Sequence, residues 1–323
     1  MTDGMSQDIS TPVTRVRSVP DLLGIVPHLL GFHPEESLVM IVIAQGRVVL
    51  TARTGLADVG PDCHLELMID RMLLRWPGAL LWLVGYCDDE RDAWTLLHRA
   101  QRHLGDALAG DLVCVCDGRY RVGNRFGAQY PHDPGATTTA AEATLHGLQA
   151  RHSRADLARG LRADPGQADL VEGAWMDGFS RFAELPEDQR ADELLLTLRR
   201  GLAHPDRLDL TDLAWLGILV TDPDARDRAV LSLTNAAADG WVAVWTRVVR
   251  ASPYGGQVQP LALLALAAWA AGEGALQSVC LEELDVLGVR PGLYRLLDDL
   301  NAGMVPPSEW PLIRRRLEEL LEK

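Results

Sequence analysis

Apolar and polar positions alternate along this chain in two rhythms, and the first is helical. Leu22, Leu23, Val26, Leu29 and Leu30 recur at one helical face. Ser18, Pro20 and Asp21 supply its start: a capping hydroxyl, a proline where no N–H is needed, and an acid at the positive end of the dipole. Pro27 removes a backbone donor and predicts a kinked or shortened last turn. Gly31 suits a left-handed terminus, and His33, preceding Pro34, is pushed to an extended conformation. From Ser37 to Ala44 the chain is apolar almost without a break, as in a strand buried on both faces. Gln45-Gly46 then predicts a two-residue hairpin turn into Arg47–Thr54.

The same rhythms continue. A helix is expected over 62–75, opened by Pro61-Asp62, and a strand over Ala79–Tyr86. Another helix follows over Asp89–Leu104, a strand at Leu112–Cys116 and, after an Asp117-Gly118 turn, a polar strand at Arg119–Val122. Strands alternating with helices imply an α/β layer, and the hairpin makes its sheet mixed. Gly123–Thr139 lacks periodicity and reads as a long boundary loop. Beyond it strand signals vanish, and helical segments run to Leu320 between Gly, Pro or Asp punctuation. Ser153 with Asp156, Thr211 with Asp212, and Thr221 with Pro223 look like helix starts. The run Trp269–Ala275 resembles one tetratricopeptide-type hairpin turn, a single unit where a solenoid needs about three. The expected plan is therefore a tail over 1–17, an α/β domain over 18–135, and an all-α, repeat-like domain over 136–323.

Several short stretches also carry a family resemblance. Leu29-Leu30-Gly31-Phe32-His33-Pro34-Glu35-Glu36-Ser37-Leu38-Val39 resembles the opening signature of an actinobacterial family catalogued only as a domain of unknown function, DUF4192. Asp117-Gly118-Arg119-Tyr120, Ser153-Arg154-Ala155-Asp156-Leu157, Asp224-Ala225-Arg226-Asp227 and the run 268–275 follow the family's order across nearly the whole chain. The resemblance implies no activity. Family members often carry a cysteine-rich segment after the Gly-Arg element; here Phe126–Gly135 contains no cysteine.

Composition narrows the partners. With 323 residues, 47% of them hydrophobic, the chain can bury a core. Forty-five acidic against 31 basic residues give a net charge of −14, which disfavours binding nucleic acid through its phosphates. Arg151, Arg154, Arg159 and Arg162, and again Arg314–Arg316, cluster in sequence and read first as solvated helix faces. No apolar run reaches the ~18 residues of a membrane span. Met1–Pro20 has no signal-peptide core, so a cytoplasmic location is expected. Five scattered cysteines suit a reducing compartment.

The candidate chemistry centres on the loop entering the first strand. His33 is a possible base, with Glu35 and Glu36 beside it and Ser37 as acceptor or anion ligand; the competing view is a Pro34 turn stabilised by Ser37. Arg119, between a strand end and the long loop, is a second anion candidate. Cys114 and Cys116 share a strand face, with Cys87 and His132 as imaginable co-ligands, but buried core thiols are the simpler account, so neither metal nor cofactor is expected. Arg226 and Asp227 read as an interhelical ion pair. Of nine tryptophans, Trp241 and Trp245 stand four apart on one helix and Trp269 precedes the glycine turn. They imply either helix-to-helix core packing or a groove for a partner peptide. The leading expectation is a cytoplasmic adaptor or regulatory protein that binds a protein partner. The alternative is an enzyme or binder of a small anionic metabolite near His33–Ser37 and Arg119.

Overall fold

The structure, a computed structural model, describes residues 16–59, 64–146, 148 and 150–321. The expected tail over 1–17 and the opening of a helix at Pro61-Asp62 fall almost wholly outside these residues. Contacts divide the chain into two compact units. One reaches Ser153 apart from the turn Arg71–Arg75; the other holds that turn and runs on from Arg154.

The first unit is α/β. Helix α1 (Val19–Leu30) is capped by Ser18, whose hydroxyl accepts from the Asp21 amide at 3.3 Å, and ends at Gly31 with φ +80°. It runs through Pro27 to Leu30 rather than stopping early. Strands β1 (Ser37–Ala44) and β2 (Arg47–Gly55) form the expected hairpin, with Gln45 and Gly46 both at positive φ. Helix α2 (His64–Arg75), β3 (Leu80–Cys87), α3 (Glu90–Leu104), β4 (Val113–Cys116) and β5 (Arg119–Val122) follow. A further strand, β6 (Gln129–Pro131), lies in the region read from sequence as a long loop, and α4 (Thr138–Leu145) is the first of the helices expected beyond it.

The sheet order is β2-β1-β3-β4-β5-β6, and only β3 and β4 are parallel, joined by α3. This is the mixed sheet the alternation implied. β1 lies between two antiparallel partners, and Leu38–Val42 are buried on both faces. Helix α3 approaches the sheet closely because Gly85 has no side chain: a Cβ there would sit 3.3 Å from Ala93 and Leu97. The packing of α4 on α1 uses the same device. A methyl at Gly24 would collide with Thr137, which caps α4 through the Ala140 amide at 3.1 Å. Thr139 is buried and donates to the Asp21 carbonyl at 2.8 Å, so α4 is bonded to α1. That packing places residues 136–146 in the first unit, beyond the expected boundary near 135.

The second unit is all helical: α5 (Arg154–Gly160), α6 (Ala168–Glu184), α7 (Glu187–Ala203), α8 (Leu210–Leu219), α9 (Pro223–Ser232), α10 (Ala238–Arg250), α11 (Val258–Ala271), α12 (Gly274–Val286), α13 (Gly292–Ala302) and α14 (Trp310–Leu321). Helix α11 is apolar on every side and buried from Pro260 to Ala270, packed by α10, α12 and α13. Caps differ in detail from expectation. Asp209 and Asp222, not Thr211 and Thr221, accept the first amides of α8 and α9, at 2.8 and 3.0 Å. A carboxylate at the positive helix end adds charge to the hydrogen bond. Arg226 bonds its neighbour Asp227 at 3.1 Å within α9, so this pair is not interhelical. Among the described residues no helix is long and apolar enough to cross a membrane.

These contacts invert a general rule. Alanine normally stabilises a helix over glycine by about 1 kcal/mol, but Gly24→Ala drives a methyl into Thr137. Overpacking of this kind costs about 1–3 kcal/mol, so Gly24→Ala should lower the urea midpoint at unchanged m-value. A midpoint that rises would mean that α4 does not sit on α1.

Candidate functional site

The loop entering β1 is built by backbone constraints on its polar residues. Glu36 is held at φ +40°, outside the usual range for a non-glycine residue. Its backbone carbonyl accepts from Leu56 at 2.9 Å, and its carboxylate accepts from the Asp88 amide at 2.6 Å. Ser37 is fully buried and donates to the Glu35 carbonyl at 2.8 Å; Arg53 reaches the same carbonyl at 3.3 Å. Ser37 and Glu36 thus close the strand end, which is the turn-stabilising role weighed above for Ser37.

Register separates the remaining candidates. Ser37 pairs with Tyr86, while Cys87, the next residue, pairs with Cys116, which pairs with Arg119. Successive strand residues point to opposite faces, so the side chains of Ser37 and Arg119 leave the sheet on opposite sides. Arg119 is exposed, and its guanidinium has no partner among the described residues. Neighbouring Arg121, by contrast, bonds Glu90 at 3.1 Å and the Gly127 carbonyl at 2.7 Å.

His33 sits in an imidazole-rich environment. Its amide donates to Arg151 at 3.1 Å, and the Arg151 amide donates to Gly31 at 2.7 Å, which lays residues 151–152 along the loop. His28 bonds the Leu148 carbonyl through Nδ1 at 2.8 Å. Burial holds the His33 pKa below its ordinary value, His152 and His28 push it further down, and Glu35 opposes them. His132 is also held low, first by burial and then by His33, against the pull of Asp133. Sequence reasoning did not assemble this group, because its members lie on segments a hundred residues apart.

Three thiols gather beneath the N-terminus of α3. Cys87 and Cys114 sulfurs lie 3.6 Å apart, and Cys116 donates to the Asp88 carbonyl at 3.3 Å. The hydrogen bond from Cys114, and then burial, raise the Cys87 pKa strongly. Burial, with Cys87 and Glu90, pushes Cys116 up to about 11. Both shifts favour the protonated thiol over the nucleophilic thiolate at Cys87 and Cys116. The four described cysteines are free. Among the described residues no group of three or more His, Cys, Asp or Glu is arranged to hold a metal ion.

The three candidate tryptophans are interior. Trp241 and Trp245 are fully buried, 6.1 Å apart between ring centroids, and Trp269 is buried against Trp310. They pack helices together, and none presents a face to a partner. Exposed large apolar side chains occur on several elements, among them Leu74 on α2, Val286 on α12 and Leu320 on α14, and α6 carries three. Leu170, Met176 and Phe179 are 64%, 72% and 51% exposed, while Val171, Trp175 and Gly178 on its other side are buried.

Comparison with known proteins adds one match. The model of a family described as Domain of unknown function (DUF4192) covers residues 20–308. No curated protein and no solved structure matches.

The imidazoles make a pH prediction. His33 and His132 titrate below the ordinary 6.5 in the folded chain, so the unfolded chain takes up protons first as pH falls. The stability that depends on their neutral forms is complete above that value and is lost as pH drops towards the folded pKa. Between about pH 7.5 and pH 5.5 the wild type should lose more of its melting temperature than His33→Gln. Equal losses would show that this group does not couple protons to folding.

Proposed function

We propose that this chain, which belongs to the DUF4192 family by its match over residues 20–308, is an adaptor or regulatory module that binds a protein partner through α6. One observation carries the reading: Leu170, Met176 and Phe179 are large, apolar and exposed on a single helix. They stand on the half of the helix turned away from the buried Val171 and Gly178, where large apolar side chains serve no core. The flexible thioether of Met176 suits a surface that adapts to its partner. Exposed Asp169, Glu172 and Asp177 lie between them, so the complementary surface mixes apolar groups with lysine or arginine. Trp241, Trp245 and Trp269 serve this reading from behind, by making the helical unit stiff.

Binding of a small anionic metabolite by His33 and Arg119 stands second. The imidazole group favours it. The opposite directions taken by Ser37 and Arg119, and the internal bonds of Ser37 and Glu36, count against it.

Replacing the exposed Leu170 and Met176 by serine should change stability by no more than about 0.5 kcal/mol per site, whereas Phe179, whose ring meets Trp175 edge-on at 5.8 Å, adds a cost of about 0.5–1.5 kcal/mol to the triple variant. A stoichiometric protein partner held by the wild type in its own host should be lost from this triple variant while its circular dichroism is unchanged. A partner that stays on the triple variant but leaves His33→Gln would overturn the assignment to α6.

A further inference from the structure

The arginines clustered in sequence at 151–162 meet different fates in the fold. In the second unit, Arg154 makes a two-pronged bond to Glu282 at 2.6 and 2.7 Å, and Arg159 pairs with Asp156. Arg162 has no side-chain partner among the described residues. It lines a cavity of about 230 Å³ beside α5, α10, α11 and α12. Glu283, half-buried on α12, lines the same cavity, and its carboxylate is likewise unpartnered among the described residues. The two charges share one cavity without pairing to each other. Leu161, Val249 and Leu261, all buried, supply an apolar wall, and Tyr254 stands exposed at the rim.

Size and charge together select a ligand class. The volume equals roughly eight waters at about 30 Å³ each, below the ~300 Å³ at which ordinary ligand pockets begin. A simple anion would use Arg162 but face Glu283, and a simple cation the reverse. A molecule that carries both charges and a short hydrocarbon body matches the two charged residues and the apolar wall together.

We propose that this cavity binds a free α-amino acid with a branched aliphatic side chain. Its carboxylate is held by Arg162, its ammonium by Glu283, and its side chain lies against Leu161, Val249 and Leu261. None of these residues belongs to the exposed row of α6, so the assignment stands or falls separately from partner binding.

The test uses the full chain and three probes: L-leucine, isovalerate, which lacks the ammonium, and isopentylamine, which lacks the carboxylate. L-leucine in excess should raise the melting temperature by several degrees, and neither half-molecule should match it. Calorimetry should show Arg162→Gln and Glu283→Gln each weakening L-leucine about tenfold or more, with the melting temperature of the free variants unchanged. No shift with L-leucine overturns the proposal. So does a half-molecule that binds as well, or an affinity that survives both substitutions.

Discussion

A segment with no polar side has to be enclosed from every direction, and this chain contains two. β1 is buried on both faces of the sheet, and α11 is buried around its whole circumference. Each unit is built as the enclosure of one of them. In the first, β2 and β3 satisfy the backbone of β1 from either edge, and α3 covers one face at the distance that Gly85 permits. In the second, α10, α12 and α13 close around α11. Burying one large aliphatic side chain is worth about 1.5–3 kcal/mol, so nearby polar groups are placed where this packing leaves them.

That ordering explains which features were legible in sequence. An unbroken apolar run announces enclosure directly, and both β1 and α11 stand out in this way. Helices with a capping residue and a clear stripe were equally readable. β6 was not, because Gln129–Pro131 is three exposed residues in a Gly- and Pro-rich stretch. What pins it is non-local: Tyr130 stacks on Tyr120 at 5.3 Å. Helix α4 carries mostly threonine and alanine, so nothing in its own pattern shows that it packs on α1. The evidence for that lies at Gly24 and Asp21, more than a hundred residues earlier.

The loop at His33–Ser37 illustrates the same limit for chemistry. Its composition suggested a reactive cluster, yet a strand end has backbone needs of its own, and these take up Ser37 and Glu36 first. Strand register, which composition does not reveal, then sends Arg119 to the other face. His132, His28 and His152 join His33 only through pairings that span the unit. A local list of polar residues is thus a list of possible duties, and the fold assigns structural ones wherever a buried amide or carbonyl would otherwise be unpaired.

The tryptophans extend this argument to the helical unit. A helix leaves its last carbonyls without partners, and three indoles supply donors at or just beyond such ends. Trp175 donates to Ala251 after α10 at 2.8 Å, Trp310 to Leu233 after α9 at 3.0 Å, and Trp269 to Val305 beyond α13 at 3.3 Å. Each ring buries a large apolar surface while its N–H ties one helix to the end of another, a combination phenylalanine cannot provide. Gly217 and Gly256 fit this scheme, since a side chain at either would strike the Trp175 ring at 2.6 and 2.9 Å. Periodicity places such residues on a helix face but does not say whether that face meets water or another helix end. Here it meets helix ends. An indole that is buried between helices and bonded to a helix end therefore serves the frame, which is why a tryptophan-rich helical sequence is no sign of a binding groove.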